Sequence, residues 1–278
     1  MKLLERAGEG ACPHVSAGED GMRLQFTKRP GLVVYVTCGD PSMAVTRDVV
    51  LDAIDAGADV IELGVPFSDP VADGPVIQRA SERALVNGTT LGDVLKLAGE
   101  LRRLRPEAGL IVFSYLNPIL RMGLVEFCKA AKEAGLDGAL VTDLPVEEAG
   151  LYLAEMKKNE LAPVFLAAPT SPEARLKRIA QASAGFVYAV ARTGITGVRA
   201  EFPPEAKELV ARIRRHTKLP VAVGFGIASA EQFASVAKFA DAVVVGSAVV
   251  EAIERNRGTE ADAVGELVRS LVRSRAQA

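Results

Sequence analysis

Residues 60–79 read Val-Ile-Glu-Leu-Gly-Val-Pro-Phe-Ser-Asp-Pro-Val-Ala-Asp-Gly-Pro-Val-Ile-Gln-Arg. A short apolar run at residues 59–63 has the length and character of a buried strand. A loop rich in Pro and Gly follows, and Pro75 then opens a helical pattern, where the missing N–H of proline costs nothing. We interpret the stretch as one strand–loop–helix unit, and similar units recur along the chain from Gly31 onward.

Uninterrupted apolar strands that alternate with amphipathic helices predict a parallel sheet covered by helices. Eight such runs favour a closed (β/α)8 TIM barrel over an open Rossmann sheet. Two helical patterns, at residues 75–86 and 90–104, separate strands two and three, so we expect an extra helix inserted after strand two. The eight predicted strands are residues 32–38, 59–63, 110–114, 138–142, 162–167, 185–190, 221–223 and 242–245.

The composition fits one large domain and excludes several classes of function. The 278 residues carry a net charge of −2, which gives no overall basic field for nucleic acid. No apolar stretch approaches the roughly 20 residues of a membrane helix, and the first residues lack a signal-peptide core. Residues 1–22 show no clear period, so we predict a poorly ordered extension at 1–22 and a single barrel domain at 23–278.

The cysteines and histidines argue against metal chemistry. Cys12, Cys38 and Cys128 are odd in number and share no metal-binding spacing, which fits a reducing cytoplasm. His14 and His216 are the only histidines, so neither a His-based metal site nor a Ser-His-Asp triad is expected. We therefore predict no metal on this chain.

Three carboxylates lie close together in the sequence of residues 60–79, and each has a structural and a functional interpretation. Burying Glu62 between Ile61 and Leu63 is costly unless the carboxylate is paired or used. Asp69 and Asp73 follow in the loop, where aspartate is an ordinary turn residue. We favour the turn interpretation for Asp69 alone but not for Glu62, because nearby carboxylates in different surroundings can serve as an acid and a base.

Active sites of such barrels gather where the strands end. No lysine lies at a predicted strand end, which argues against a Schiff-base aldolase. Proton transfer then falls to carboxylates and tyrosines. Core packing is the competing interpretation for each tyrosine. We favour core packing for Tyr152, and for Tyr188 core packing and proton transfer are about equally well supported. The candidate groups are Glu62, Asp73, Asp143, Tyr35, Tyr115 and Tyr188.

Glycines after the last three strands predict a phosphate site. Glycine lets a backbone approach an anion closely, and a helix N-terminus after Gly246 and Ser247 can face a phosphate. One such pair would indicate only a tight turn. Three groups at the ends of neighbouring strands make phosphate binding the better interpretation, and the predicted ligands are Gly197, Gly226, Gly246 and Ser247.

The run from Glu62 to Pro75 resembles the signature of the tryptophan synthase α subunit family. The similarity covers about residues 33–253 and includes the motifs at 35–41, 117–120, 142–145, 192–197 and 224–227. It implies a TIM barrel lyase that cleaves indole-3-glycerol phosphate to indole and glyceraldehyde 3-phosphate in tryptophan biosynthesis.

Residue by residue, the resemblance implies a set of roles. Glu62 matches the general acid/base that protonates indole C3, and Asp73 matches the carboxylate that stabilises the indoleninium charge. Tyr188 matches a tyrosine near Glu62, and Thr196 matches a loop threonine that closes the site around Asp73. Residues that would line the indole pocket are Tyr35, Phe113, Leu140, Leu166, Phe225 and Val244.

The family also implies a partner. The α subunit of this family binds a β subunit in an αββα heterotetramer, and pyridoxal phosphate belongs to the β subunit, so no cofactor is expected on this chain. Pro66, Phe67 and Asp69 match a loop that faces the partner. The sequence departs from the family at Ala191 and Thr142, and the leading helix looks shortened to residues 22–30.

Two other functions stay open at this point. The chain could be a non-catalytic subunit that only activates a β partner, although the intact Glu62 and Asp73 argue against this. It could also be another phosphate-binding barrel enzyme, such as an isomerase. That function would explain Gly226 and Gly246 but not the dense group of acids after strand two.

Overall fold

The computed structural model describes residues 23–24, 26, 28–190, 204–224 and 226–275. Nine parallel strands form one sheet in the order β5-β4-β3-β2-β1-β9-β8-β7-β6. The strands are β1 Gly31–Thr37, β2 Val60–Gly64, β3 Gly109–Ser114, β4 Gly138–Val141, β5 Ala162–Val164, β6 Leu166–Ala167, β7 Val187–Val190, β8 Val221–Gly224 and β9 Ala242–Val245.

The two ends of this sheet meet through a single stretch of chain. The sequence predicts one strand at 162–167, whereas the structure divides it into β5 and β6 with Phe165 between them. β5 pairs with β4 and β6 pairs with β7, while the Phe165 carbonyl accepts the Tyr188 N–H at 3.1 Å. The two parts of this one predicted strand thus pair with β4 and with β7, and the sheet closes into the predicted (β/α)8 barrel.

Helices cover the outside of the barrel. Side-chain caps fix where several begin: Ser42 accepts the Val45 N–H, and Thr90 and Asp93 form a reciprocal capping box. The helices are α1 Met43–Asp55, α2 Pro75–Val86, α3 Leu91–Leu104, α4 Leu116–Met122, α5 Leu124–Glu133, α6 Gly150–Lys158, α7 Glu173–Ala182, α8 Pro204–Arg214, α9 Ala230–Ala237, α10 Ser247–Arg255 and α11 Glu260–Ser274.

Three of these helices are additions to the alternating pattern. The inserted helix predicted after strand two is α2. The structure also has the short helix α4 between β3 and α5, which the sequence pattern did not reveal, and the short helix α10 between β9 and α11. α11 packs on α1 and closes the outer ring. No helix within the described ranges combines the length and apolar character that a membrane crossing needs.

The barrel interior forms a core of its own. Its members come from alternate positions of the strands, including Val33, Ile111 and Ala222. Leu24 and Phe26, which precede β1, are buried in the same cluster and fill the bottom of the barrel. The prediction of a short leading helix at 22–30 is wrong, because the described residues there form turns and bends.

At the bottom of the barrel, aspartates at the strand starts form hydrogen bonds that connect neighbouring strands. Asp59, Asp137 and Asp241 accept the backbone N–H groups of Leu32, Leu110 and Val221 at 2.7, 2.8 and 3.0 Å. Each bond joins the first residues of two adjacent strands, where a backbone N–H would otherwise be left without an acceptor. The acids at this end are therefore structural, and the acids at the carboxyl end of the strands remain the candidates for chemistry.

Candidate active site

Glu62 lies in the middle of β2 and points into the barrel. It stands in register with Tyr35 of β1 and Ile111 of β3. Its side chain is 1% exposed, and its Oε1 atom has no hydrogen-bond partner among the described residues. Burial without a partner disfavours the charged form and raises the pKa of Glu62 to about 8. A carboxyl group of this kind is protonated near neutral pH and can act as a general acid.

Asp73 lies in the loop between β2 and α2, where three contacts fix its position. Its Oδ2 atom accepts a 3.0 Å hydrogen bond from the Tyr115 hydroxyl, which in turn accepts the Ala72 N–H at 3.0 Å. The Gln78 side chain donates to the Asp73 carbonyl at 2.8 Å. Partial burial raises the pKa of Asp73 to about 6, while the bond from Tyr115 acts in the opposite direction. Asp73 is therefore mostly ionised at neutral pH, when Glu62 is not.

Tyr188 and Tyr35 stand beside both carboxylates. Burial raises the pKa of each phenol well above its ordinary value, and the charges of Glu62 and Asp73 raise both further. Each ring needs a neighbouring glycine, since a Cβ atom at Gly224 would overlap the Tyr188 hydroxyl and one at Gly64 would overlap the Tyr35 ring. Both tyrosines stay neutral, so they can donate hydrogen bonds but do not serve as bases.

An apolar and aromatic lining surrounds these polar groups. The Tyr35 and Phe113 rings meet edge to face with centroids 5.0 Å apart. Leu140 and Val244 belong to the interior core of the barrel, and Leu166 packs against it. The structure thus brings these five predicted pocket residues into two adjoining clusters inside the barrel. The predicted residues Thr196 and Phe225 lie outside the described part of the chain.

The predicted phosphate ligands are at the carboxyl end of the last two strands. Gly246 and Ser247 connect β9 to α10, and no described side chain caps that helix. The first N–H groups of a helix have no partner within it, so those of α10 can receive an anion. Gly226 follows β8 and has a φ of +77°, a conformation that favours glycine. Gly197 lies outside the described residues.

The predicted partner loop has a buried root and an exposed tip. Pro66 is buried and Phe67 is half-buried with its ring centroid 5.1 Å from that of Tyr115. Asp69 is exposed and accepts a 2.6 Å hydrogen bond from the Ser68 hydroxyl. Val71 is 85% exposed. The loop therefore joins an exposed apolar tip to the Tyr115–Asp73 contact.

The candidate Asp143 has a structural role, as does Tyr152, and the candidate Tyr115 has a larger role than expected. Asp143 accepts the Leu116 N–H at 2.7 Å and so fixes the start of α4. Tyr152 packs in the core and donates to the Ala139 carbonyl, as the sequence favours. Tyr115 was one of several possible proton-transfer groups, and its place directly after the third strand was the only signal of its contact with Asp73.

The described residues contain no group of three or more His, Cys, Asp or Glu side chains that could hold a metal ion. Cys38 and Cys128 are free and buried, and burial raises the pKa of both thiols. Neither thiol is therefore a ready nucleophile.

The fold and the site geometry together define a class: an enzyme of the (β/α)8-barrel type whose polar groups at the carboxyl end of the strands are carboxylates and phenols. The model of the family "Tryptophan synthase alpha chain" matches residues 22–277. The chain belongs to this family.

Individual relatives match this chain over most of their own length. The tryptophan synthase alpha chain of Solibacter usitatus is 50% identical over 233 residues, which cover 84% of this chain and 87% of that one. The solved structure of a tryptophan synthase complex from Pyrococcus furiosus matches with a TM-score of 0.81 and 39% identity, covering 88% of this chain and 98% of that chain. Tryptophan synthase of Mycobacterium tuberculosis matches with a TM-score of 0.82 and 36% identity, over 88% and 92% of the two chains.

Proposed function

We propose that Glu62 and Asp73 carry out the family's lyase reaction, the cleavage of indole-3-glycerol phosphate to indole and glyceraldehyde 3-phosphate in tryptophan biosynthesis. The observation that carries the proposal is a buried Glu62 with a pKa of about 8, one of whose oxygens has no partner among the described residues, together with an Asp73 of pKa about 6 in the loop after the same strand. Between these values one carboxyl is protonated and the other is ionised, which is the state that the reaction needs.

The first step moves a proton to the indole ring. The protonated Glu62 carboxyl gives its proton to C3 of the indole, and the ring becomes an indoleninium cation with its charge centred on nitrogen. The ionised Asp73 accepts the ring N–H and stabilises that charge. The carboxylate is already oriented by Tyr115, and Gln78 holds the backbone carbonyl of the same residue, so Asp73 stabilises the cation without reorganising.

The second step breaks the carbon–carbon bond. The Glu62 carboxylate takes the proton from the hydroxyl group on the carbon attached to indole C3, and that oxygen forms the aldehyde carbonyl. The electrons of the C–C bond return to the ring and neutralise the nitrogen, which gives indole. Glu62 ends protonated, as it began, so the reaction needs neither metal nor Schiff base.

The remaining site residues would bind the substrate. We infer that Gly226, Gly246 and Ser247, with Gly197, hold the phosphate through backbone N–H groups and the Ser247 hydroxyl. No described side chain caps the N-terminus of α10, which supports this role. The apolar lining would hold the indole ring, with Tyr188 next to Glu62. The residues of that lining are Tyr35, Phe113, Leu140, Leu166, Phe225 and Val244, with Thr196 closing over Asp73.

The partner and its cofactor follow from the family. The solved Pyrococcus furiosus relative is a tryptophan synthase complex. We propose that this chain binds a β subunit in an αββα heterotetramer, through the loop of Pro66, Phe67 and Asp69. The exposed Val71 at the tip of the same loop supports that surface. Pyridoxal phosphate would belong to the β subunit, this chain would carry no cofactor, and the assembly would be cytoplasmic.

An assay of indole release tests the function. The purified chain, without a partner, is given indole-3-glycerol phosphate, and we expect indole to form and to form faster when a β subunit is added. A non-catalytic subunit would release none alone. An isomerase would instead convert a phosphosugar that lacks the indole ring, and that substrate is the control in the same assay.

A further inference from the structure

Four charged residues join the inserted helix to the phosphate helix, and the proposed reaction does not use them. Arg83 of α2 donates from Nε and Nη2 to both oxygens of Asp40, at 2.8 and 2.7 Å, and from Nη1 to Glu254 of α10 at 2.8 Å. Arg79, one turn earlier, donates from Nε and Nη2 to Glu254 at 3.2 and 2.9 Å. We call Asp40, Arg79, Arg83 and Glu254 the rim clamp.

The rim clamp is more than a surface ion pair. Asp40, just after β1, is 1% exposed, and its two oxygens meet Arg83 in the planar two-bond arrangement that is the strongest form of such pairs. The hydrogen bonds from Arg79 are the main cause that lowers the pKa of Glu254 to about 2. Beneath the clamp, Tyr35, Ala80 and Val250 bring β1, α2 and α10 together in one small core.

The positions of the two helices explain what the clamp could control. α2 begins two residues after Asp73, and Gln78 in its first turn holds the Asp73 carbonyl. α10 begins at Ser247, the proposed phosphate ligand. The substrate has a phosphate at one end and an indole ring at the other. The start of α10 would hold the phosphate, and the loop before α2 would hold the indole ring.

We propose that the rim clamp is a positioning device that sets the spacing between Asp73 and the phosphate helix, and that Arg83 and Glu254 are its positioning residues. The inference rests on the proposed lyase reaction and on the proposed phosphate site. A small misplacement of a reacting group costs a large factor in rate, on the order of 10²-fold for about 1 Å. The clamp should therefore affect a substrate that spans both helices and not a ligand that occupies only one.

The test compares Arg83→Gln and Glu254→Gln with the control Arg105→Gln. Arg105 resembles Arg83 in that its side chain is also 30% exposed and makes two bonds to an aspartate, Asp55. It lies at the bottom of the barrel, and Asp55 is exposed whereas Asp40 is buried. We expect kcat/KM for indole-3-glycerol phosphate to fall about 10-fold or more in both clamp variants, and by less than about twofold in Arg105→Gln. Glycerol phosphate, which engages the phosphate site alone, should bind all variants within about twofold of wild type.

Three results would overturn the inference: wild-type kcat/KM in both clamp variants, an equal loss in Arg105→Gln, or a parallel loss of glycerol phosphate affinity. The last result would mean that the clamp only maintains the phosphate site. If Arg83→Gln does not fold, Arg79→Gln breaks the same cluster at a more exposed side chain, and Glu254→Gln breaks it from the side of α10. Wild-type protein in the same assay separates the two proposals, since its failure to release indole refutes the lyase function, whereas fully active variants refute the clamp.

Discussion

The Tyr115 hydroxyl donates a 3.0 Å hydrogen bond to Asp73, although 42 residues separate the two in the chain. The same hydroxyl accepts the Ala72 N–H, so one phenol holds both the carboxylate and the backbone of its loop. The bond favours the ionised form of Asp73 against the effect of burial. Tyr115 therefore both orients Asp73 and keeps it charged near neutral pH.

Replacing Tyr115 by phenylalanine should shift the pH dependence of the reaction. Without the hydrogen bond, the pKa of Asp73 rises above its value of about 6, so the acid limb of the kcat/KM profile moves to higher pH, by up to about one unit. Activity should be lost mainly near pH 6 and retained better at pH 8. Tyr152→Phe is the control, because its buried hydroxyl donates to the Ala139 carbonyl and not to Asp73, and an equal shift there would contradict the assignment.

The buried Glu62 should make the protein less stable as the pH rises. Its pKa is about 8 in the folded protein and near 4.5 when unfolded, so between these values the folded state holds a proton that the unfolded chain releases. The free energy of unfolding then falls with rising pH, by up to about 1.4 kcal/mol per unit for one proton. Below the unfolded value the effect is absent, and above about pH 8 it is constant.

Glu62→Gln removes this titration and tests it by urea unfolding at several pH values. The stability of the variant relative to wild type should improve steadily between about pH 5 and 8 and then level off. Comparing the two proteins cancels the contributions of all other titrating groups. A difference that does not change with pH would show that Glu62 is already paired or solvated in the folded protein.

The phosphate site is tested by placing a negative charge at Gly226. Gly226→Asp should weaken the binding of glycerol phosphate by about tenfold or more, because like charges a few ångströms apart repel. Gly88→Asp is a close control, since Gly88 is also exposed and has a φ of +75° against +77° for Gly226. Both variants carry the same backbone strain of about 1–2 kcal/mol. Calorimetry that finds equal affinities in the two would mean that the anion binds elsewhere.

Asp69→Asn tests whether the loop after β2 couples partner binding to catalysis. The amide oxygen of the introduced asparagine can still accept the Ser68 hydroxyl, so the turn and the isolated lyase activity should change little. The activation by a β subunit should fall by an amount equivalent to about 1–3 kcal/mol, the usual size of a coupling term. Glu133→Gln, an exposed charge change at the end of α5, is the control. Equal activation of Asp69→Asn and wild type would exclude this loop as the coupling element.

The barrel could be predicted because its strands are buried on both faces and so appear as continuous apolar runs. The position of Glu62 between Ile61 and Leu63 was informative for the same reason: a charge inside a buried strand stands out. The division of the fifth strand at Phe165 could not be predicted, since it follows from how one strand must meet two neighbours. The short helix α4 was missed because seven residues give too little periodicity.

Contacts between side chains that are far apart in the chain could not be predicted from the sequence. The bonds of Tyr115 to Asp73 and of Arg83 to Asp40 and Glu254 depend on where loops and added helices pack, and residue spacing contains no trace of them. The prediction of a leading helix was wrong because Leu24 and Phe26 pack into the bottom of the barrel without forming a helix. The predictions for the N-terminal extension and for Thr196, Gly197 and Phe225 concern residues outside the described part of the chain.

The rate of indole release by Glu62→Gln at neutral pH tests directly whether Glu62 transfers the proton. Glutamine keeps the shape of the side chain but cannot transfer the proton, so we expect a loss of about 10²–10⁴-fold or more. Glu260→Gln is the matched control, because Glu260 is also buried and, among the described residues, bonds only the Gly258 N–H. Its rate should stay within about threefold of wild type. A Glu62→Gln protein that releases indole at nearly the wild-type rate would show that Glu62 is not the acid of the reaction.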